Sequence, residues 1–258
     1  MSGAFQGQVA VITGGAGGIG RALGAALEAQ GAQVLLADLG GDDVFACDVT
    51  KPEDCAALAD EVFKRFGRVD LLINNAGIGG ANGRLAQVPL DEARRVFEVN
   101  YWGVWNCCTA FAPRMAEQDH PSAIYNVASE NALFCAMPRA AAYIASKHAV
   151  LGLTENLRED LPPQVHVGTI IPGWVASGLI PAGMHHLAMP AARFAEIVLP
   201  QIAARERFVV SHAYNVERMT ERTDAIESSY ARYTPRYAGD EEYDVRTFIK
   251  RAREQRAG

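Results

Sequence analysis

The sequence predicts an α/β protein built on a doubly wound parallel sheet of about seven strands. Three observations lead to this prediction. Short apolar runs recur along the chain, and most are followed by a stretch with helical spacing. The apolar runs are nearly continuous, which is typical of parallel strands buried on both faces. The 258 residues contain no internal repeat and no low-complexity linker, so we expect one domain, residues 1–258.

The first third of the chain supplies four predicted strands. Its strands are expected at 8–15, 33–39, 44–49 and 69–77, with helices at 21–32 and 52–67. Gly31 stops the first helix, and proline in the first turn marks the start of the second. Only GGDD separates the second and third strands, whereas a crossover helix needs roughly ten residues or more. We therefore predict a tight loop there instead of a helix.

The remainder of the chain continues the alternation and ends in a polar segment. We predict strands at 123–129, 165–173 and 207–211 and helices at about 89–115, 138–160 and 192–204. Right-handed crossovers between such strands give a doubly wound sheet. The core is expected over about 5–211. The polar, arginine-rich residues from about 212 to 258 are expected to form a helical extension.

A glycine-rich loop, TGGAGGIG at 13–20, joins the first predicted strand to the first helix. Glycine tolerates positive φ and lets a phosphate approach the backbone. The helix N-terminus offers free amides and partial positive charge to a pyrophosphate. The strand, loop and helix in this order indicate a dinucleotide site.

Asp38 ends the second predicted strand, 18 residues beyond Gly20. In a dinucleotide fold this carboxylate accepts hydrogen bonds from the adenosine ribose and repels a 2′-phosphate. Leu39 follows at the position where a protein that binds the 2′-phosphate would have arginine, and Gly15 in the loop carries no charge. These residues favour NAD over NADP. The simpler alternative is that Asp38 only caps a loop.

The segment AAYIASK, 141–147, places Tyr143 four residues before Lys147 in a chain that has only four lysines. Residues at this spacing share one face of a helix. Free tyrosine has a pKa of about 10 and is a poor base at neutral pH. A neighbouring ammonium favours the phenolate and lowers that pKa. We expect the pair to act as a base, although a surface pair on a helix is the alternative.

Four motifs in order resemble those of the classical short-chain dehydrogenase/reductase family. They are TGGAGGIG, NNAG at 74–77, YIASK at 143–147 and PGWVAS at 172–177. The resemblance covers about residues 5–211 and implies a Rossmann-type fold. It also implies a catalytic set made of Asn100, Ser129, Tyr143 and Lys147. Ser129 precedes Tyr143 by 14 residues, one more than the commoner spacing, which indicates an extra loop residue.

The resemblance gives each catalytic residue a role. Tyr143 would accept the hydroxyl proton, and Lys147 would tune Tyr143 and hold the nicotinamide ribose. Ser129 would hydrogen-bond the substrate oxygen, as oxyanion donors do. Asn100 would hold a water molecule that joins Lys147 to solvent.

The same resemblance implies a cofactor site for NAD. The glycine loop would line the pyrophosphate, Asp48 and Val49 at the end of the third strand would meet the adenine, and NNAG would pass the adenosine ribose. The PGWVAS segment would border the nicotinamide, with serine where threonine is more usual. The expected cofactor residues are Gly14, Gly18, Ile19, Gly20, Asp38, Asp48, Val49, Asn75, Ala76, Gly77, Tyr143, Lys147, Pro172, Gly173, Val175 and Ser177.

An apolar segment at 176–190 follows PGWV, where the family places a mobile substrate lid. Residues 133–138 are expected to form a neighbouring wall. The expected substrate residues are Phe134, Met137, Trp174, Leu179 and Met184. Their apolar character favours an apolar or aromatic secondary alcohol or ketone. The alternative is that these residues pack on the domain or on a partner subunit.

Three functions fit these residues. The first is an NAD-dependent oxidoreductase that interconverts an apolar secondary alcohol and its ketone. The second is a dehydrogenase of cis-dihydrodiols or steroid-like hydroxyls, which would use the same four residues. The third is a non-catalytic NAD-binding sensor or scaffold, although such proteins usually lack the tyrosine or the lysine. The segment 208–230 resembles that of short-chain dehydrogenases acting on carbinol carbons of lignin-derived aromatic ethers.

Composition and net charge restrict the kinds of partner that this protein is expected to bind. The net charge of −6 argues against a nucleic-acid binder. No run approaches the ~18 apolar residues of a membrane span, and the first residues lack a signal peptide pattern. We therefore expect a cytoplasmic protein without a membrane partner. The resemblance implies a homodimer or homotetramer formed through the two long helices.

The cysteines and histidines give no metal signature. The five cysteines include no Cys-x-x-Cys pair, so we expect buried, reduced thiols. His185 and His186 have no carboxylate or cysteine nearby at metal-ligand spacing, and we predict no metal site.

Overall fold

Seven strands form one parallel sheet in the computed structural model, which describes residues 3–249 and 254. The order across the sheet is β3-β2-β1-β4-β5-β6-β7. The predicted doubly wound α/β fold is therefore confirmed. The strands are β1 Val9–Thr13, β2 Gln33–Asp38, β3 Phe45–Ala46, β4 Leu71–Asn74, β5 Ser122–Val127, β6 Val165–Ile171 and β7 Phe208–Val210.

Helices cover both faces of this sheet. They are α1 Gly18–Glu28, α2 Pro52–Phe66, α3 Leu90–Phe97, α4 Gly103–Ala116, α5 Ala141–Asp160 and α6 Ala191–Ala203. Neighbouring strand residues point to opposite faces. Val11 packs with Leu58 of α2 and Phe111 of α4 in one core, whereas Ile12 packs with Leu23 of α1 in the other. The continuous apolar runs therefore fill two cores.

The connection between β2 and β3 has no helix, as the four-residue spacer predicted. The third strand is shorter than expected, because only Phe45 and Ala46 pair with β2. The helix predicted over 89–115 consists of α3, a π-helical turn at Glu98–Trp102 and α4. The helix predicted from 138 begins only at Ala141. Arg139 has φ of 72°, a left-handed conformation that a right-handed helix cannot continue through.

The chain divides into two compact units, Met1–Ala213 and Tyr214–Gly258. The first unit contains the whole sheet. The second contains helix α7, Asn215–Tyr233, and a short 3₁₀ turn at Asp240–Tyr243. The single-domain assignment of the chain stays a prediction. The last predicted residues of the extension, 250–253 and 255–258, lie outside the described residues.

The cysteines depart from the prediction at one position. Cys47, Cys55, Cys107 and Cys108 are free and buried, but Cys135 is exposed. It lies in the irregular segment before α5. Among the described residues, no helix combines the length and the apolar character required to cross a membrane.

Asp70 joins the beginning of β4 to β1. Its Oδ2 accepts hydrogen bonds from the Val9 amide at 2.8 Å and from Arg68 Nε at 2.9 Å. The second carboxylate oxygen contacts Arg68 Nη2. Asp70 is 6% exposed, so its charge depends on these partners.

The substitution Asp70→Ala should lower the free energy of unfolding by about 3 kcal/mol, because it leaves a buried amide without an acceptor and a guanidinium without its anion. Urea unfolding of both proteins measures this. The control is Asp60→Ala, which removes a surface pair with Arg114 and should cost no more than about 1 kcal/mol. Equal losses in the two variants would contradict the structural role of Asp70.

Candidate active site

The loop between β1 and α1 forms a cradle in which glycine is required. Gly14 and Gly18 have φ of 66° and 53°, which favour glycine. A Cβ on Gly14 would lie 2.8 Å from the Ala76 Cα. Gly17 precedes α1 without a side-chain cap, and the first turn holds no acidic residue. The amides of this helix end are therefore suited to a phosphate group.

Asn75 and Thr13 hold this cradle in place. The Asn75 side-chain amide donates to the carbonyl oxygens of Thr13 at 2.9 Å and Gly14 at 3.0 Å. Thr13 Oγ1 accepts from the amides of Asn75 and Ala76. These bonds join the end of β1 to the end of β4. Gly20 lies behind the cradle. A Cβ there would approach the Gly14 oxygen to 2.2 Å, so glycine at this position allows α1 to pack closely against the loop.

Asp38 lies at the end of β2 beside the same loop. Its Oδ2 accepts from the Ala16 amide at 2.9 Å and its Oδ1 from the Leu39 amide at 2.8 Å. Asp38 therefore caps the glycine loop, which is the simpler of the two roles that the sequence allowed. Each carboxylate oxygen can accept further hydrogen bonds. The structure thus also permits an interaction with ribose hydroxyls.

A cleft of about 630 Å³ opens at the carboxyl ends of β1, β2 and β4. Ligands of open parallel sheets bind at this edge. The cleft brings together these predicted residues: Gly14, Gly18, Ile19, Asp38, Asp48, Val49, Asn75, Ala76, Gly77, Ser177 and Leu179. It does not include Gly20, Tyr143, Lys147, Pro172, Gly173 or Val175.

Further residues line the cleft that the sequence analysis did not assign. They are Gly17, Leu39, Cys47, Ile78, Gly79, Gly80, Arg95, Val99 and Gly178. Most are direct neighbours of assigned residues, and this adjacency is a signal that could have found them. Gly79 and Gly80 lie two and three residues beyond the assigned Gly77, whereas Arg95 has no assigned residue close to it in the chain. It lies one helical turn before Val99, and only the folded position of α3 brings it to the cleft.

Asn100 lies in the π-helical turn between α3 and α4 and is fully buried. Its Oδ1 accepts from the Ile78 amide at 2.8 Å, and its Nδ2 donates to the Ile78 oxygen at 2.9 Å. Nδ2 also lies 3.1 Å from Ser146 Oγ on α5. Single π turns inside helices are frequent at functional sites. Asn100 thereby holds the segment after β4 against α5.

Ser129 and Tyr143 meet at the carboxyl edge of the sheet. Ser129 is 5% exposed and follows β5, and its Oγ accepts from the Asn131 amide at 3.2 Å. Burial raises the pKa of Tyr143, and an interaction with the Ser129 side chain opposes this effect. The extra loop residue in the spacing does not prevent this contact.

Lys147 is 3% exposed, and its Nζ donates to the Val127 oxygen at 2.9 Å. The same Nζ lies 5.8 Å from the centroid of the Tyr143 ring. A Cβ on Gly77 would lie 3.5 Å from Nζ and 3.2 Å from Asn100 Oδ1. Gly77 lines the cleft, so Asn100 and Lys147 lie directly beside it.

The pKa shifts of Tyr143 and Lys147 differ from those that the sequence predicted. Burial raises the pKa of Tyr143 above its ordinary value, the Ser129 hydrogen bond opposes this, and the charge of Glu130 adds to it. Burial also lowers the pKa of Lys147 to about 8. The lysine donates to a backbone carbonyl, and its own charge is disfavoured. The sequence showed the spacing of the pair but could not show this burial.

The segment 172–190 borders the other side of the site. Val175 is buried and pairs with Met189, and the Ala176 amide donates to the Met189 oxygen at 2.9 Å. His185 Nε2 lies 3.1 Å from the Ser177 oxygen and 2.9 Å from the Ile180 oxygen. These contacts close the segment into a loop whose two ends are fixed.

The predicted substrate residues differ in exposure. Phe134 is buried, Met137 and Trp174 are half-buried, and Leu179 and Met184 are exposed. Leu179 reaches the cleft, within 3.9 Å of a Cβ placed on Gly79. Of the five, Leu179 alone lines the cleft.

Known proteins resemble this chain in sequence and in fold. The short chain dehydrogenase family matches residues 8–184. A 1-deoxy-11-beta-hydroxypentalenate dehydrogenase of Streptomyces avermitilis is 41% identical over 189 residues, 66% of this chain and 70% of that protein. A short chain dehydrogenase/reductase from Burkholderia phymatum in complex with NAD is 30% identical, with a TM-score of 0.79 over 88% of this chain and 96% of that one.

A second solved structure, a short chain dehydrogenase from Burkholderia cenocepacia in complex with NADP, is 29% identical. Its TM-score is 0.74 over 89% of this chain and 99% of that one. The chain belongs to the short chain dehydrogenase family. It is an oxidoreductase of the dehydrogenase type, and its family uses a nicotinamide cofactor.

The pKa of about 8 gives a prediction for Lys147. In the protein without cofactor, Lys147 should hold its proton below this pH and lose it as the pH rises through about 8. NMR of protein labelled at the lysine side chains measures the titration, and the signal missing in Lys147→Met identifies the residue. Lys64→Met serves as the matched control for assignment. A Lys147 signal unchanged up to pH 10 would contradict the effect of burial.

Proposed function

We propose that this protein is an NAD-dependent oxidoreductase that interconverts an apolar or aromatic secondary alcohol and its ketone. The observation that supports this most is the buried Lys147, which lies one helical turn from Tyr143 and beside Gly77 of the cleft. Ser129 interacts with the same tyrosine. Together with Asn100 these residues are the proposed catalytic set.

The cradle and the cleft are suited to a dinucleotide. The uncapped amides at the start of α1 would bind the pyrophosphate, and Asp38 would accept hydrogen bonds from the adenosine ribose. Gly77 and the Pro172-Gly173 turn would border the nicotinamide end. The bound cofactor would supply the acceptor for the substrate hydride. The negative charge of Asp38 is the support for NAD over NADP.

The side chains would handle the proton. Tyr143 would accept the proton of the substrate hydroxyl, while Ser129 would donate a hydrogen bond to the substrate oxygen. Lys147 would favour the phenolate when it is charged. Asn100 would hold a water molecule next to Lys147, which would then carry the proton towards solvent.

Apolar residues around the site support an apolar substrate. Leu179 and Met184 belong to the proposed lid, and Phe134, Met137 and Trp174 to its neighbouring walls. A second candidate is a dehydrogenase of cis-dihydrodiols or hydroxysteroid-type substrates. The relative from Streptomyces avermitilis is named a dehydrogenase of a hydroxypentalenate, and this name supports a hydroxylated substrate of the second kind. A third candidate, which is not an enzyme, is an NAD-binding sensor or scaffold. Turnover of an alcohol by the purified protein would exclude it.

We further propose a homodimer or homotetramer in the cytoplasm. Trp102 and Trp105 are 43% and 45% exposed on the helical segment that begins α4, and such surfaces favour burial against a second copy. The five free cysteines support the cytoplasm as the compartment, because thiols stay reduced there. Sedimentation of the purified protein measures the assembly.

Replacement of the proposed base tests the mechanism. Tyr143→Phe should lower kcat by about 10²–10⁴-fold, because the hydroxyl that would accept the proton is removed. NADH formation with a panel of secondary alcohols is followed by absorbance, and NAD binding is measured separately. Tyr125→Phe is the matched control, since its hydroxyl bonds the Glu206 oxygen elsewhere, and should keep its activity. Full turnover by Tyr143→Phe would refute the assignment.

Removal of the Asp38 carboxylate tests the cofactor. Asp38→Ala should weaken NAD binding by about 10-fold or more and change NADP binding far less, because a charged acceptor is lost and a repulsion is relieved. Calorimetry gives both dissociation constants. Asp42→Ala, an exposed acid in the same loop, should leave their ratio unchanged. A constant ratio in Asp38→Ala would mean that Asp38 only supports the glycine loop.

A further inference from the structure

A β-turn at residues 177–180, called the cleft turn below, forms part of the wall of the cleft. The Ile180 amide donates to the Ser177 oxygen at 3.0 Å and closes this turn. Ser177 and Leu179 both line the cleft. A Cβ on Gly18 would lie 3.0 Å from the Ser177 Cβ, so the turn lies against the first residue of α1. The cleft turn therefore borders the helix end that is suited to a phosphate group.

The His185 imidazole contacts both ends of the cleft turn. Its Nε2 lies 3.1 Å from the Ser177 oxygen and 2.9 Å from the Ile180 oxygen. Carbonyl oxygens only accept hydrogen bonds, so Nε2 carries a proton and shares it between the two. The neutral tautomer with its proton on Nε2 and the charged imidazolium both provide this proton. Both forms of His185 can therefore hold the turn.

The backbone fixes the two ends of the segment that contains the cleft turn, and His185 fixes its middle. At the ends, Val175 pairs with Met189, and the Ala176 amide donates to the Met189 oxygen at 2.9 Å. The 3₁₀ helix Ala182–Leu187 carries His185 between these ends. In the part of the chain that the structure describes, the two bonds of His185 are the hydrogen bonds that join this helix to the cleft turn.

We propose that His185 is a positioning residue that holds the cleft turn against the glycine loop and keeps the cleft in the shape that a dinucleotide requires. His185 is not among the residues that line the cleft, so it acts through Ser177 and Leu179. Without the imidazole, the turn would occupy this position in only a fraction of the molecules. A ligand that requires the turn in place binds more weakly by that fraction.

This proposal rests on the proposed function in one respect only, the binding of a nicotinamide dinucleotide in the cleft. It does not depend on which alcohol the protein oxidises. It also gives the two adjacent histidines different roles, because His185 is half-buried and bonded to the cleft turn, whereas His186 is exposed.

Hydrogen exchange of the complete protein without cofactor tests the contact itself. His185→Phe keeps a planar ring and removes the donor. The backbone amides of residues 176–190 should exchange about 10-fold faster, because the turn opens more often once two hydrogen bonds are lost. Ile180 is only 8% exposed, so its side chain still anchors one end of the turn and limits the effect. Mass spectrometry of peptides from this segment measures the exchange.

Two variants separate the hydrogen bonds from other effects of the substitution. The amide group in His185→Gln can replace Nε2 as a donor and should restore most of the slow exchange. His186→Phe makes the same change one residue further on and should leave the exchange of the segment unchanged. If His185→Phe exchanges no faster than His186→Phe, or if His185→Gln exchanges as fast as His185→Phe, the proposal is wrong.

Binding of NAD provides the functional measurement. Calorimetry should give a dissociation constant about 3–10-fold higher for His185→Phe, and the increase should not exceed the change in exchange rate. His185→Gln and His186→Phe should bind NAD nearly as tightly as the unmodified protein. Faster exchange in His185→Phe without weaker binding would refute the positioning role.

The two proposals fail on different observations. If the unmodified protein binds NAD but oxidises no alcohol, the proposed function is wrong and the role of His185 is still supported by the exchange and binding results. If the unmodified protein oxidises alcohols and His185→Phe matches it in exchange and in NAD binding, the role of His185 alone is wrong.

Discussion

The burial of the Lys147 ammonium is the constraint on which the site depends. Its hydrogen bond to the Val127 oxygen ties α5 to the last residue of β5. The ammonium is disfavoured there, and a pKa of about 8 corresponds to a cost of roughly 3 kcal/mol. A lysine held in this way fixes the rotation of α5, so Tyr143, one turn earlier, meets Ser129 after the same strand.

Close approach of other residues to glycines makes the rest of the site possible. Gly14 lies against Ala76, Gly77 against Asn100 and Lys147, and Gly173 between Glu130 and His212. Each of these glycines stands where two chain segments converge at the carboxyl edge of the sheet. A Cβ on Gly14 or Gly173 would come closer than 3.0 Å to its neighbours and displace them, whereas one on Gly77 would need a smaller shift of Asn100, which would lie at 3.2 Å.

The charges near Tyr143 act in opposite directions. Lys147 favours the phenolate when it is protonated, and Glu130 disfavours it. Both are buried, so the low local dielectric strengthens each effect.

The sequence by itself determined the order of strands and helices, the glycine loop, the missing crossover after β2 and the family motifs. These follow from local spacing: apolar runs, glycine positions and the tyrosine–lysine interval on one helix. The π turn at Asn100, the late start of α5 and the exposure of Cys135 depended on how the segments pack. Glu130 and His212 lie 82 residues apart, and no local pattern links them. Only the parallel register of β5, β6 and β7 brings them together, because it aligns residues that are distant along the chain at one edge of the sheet.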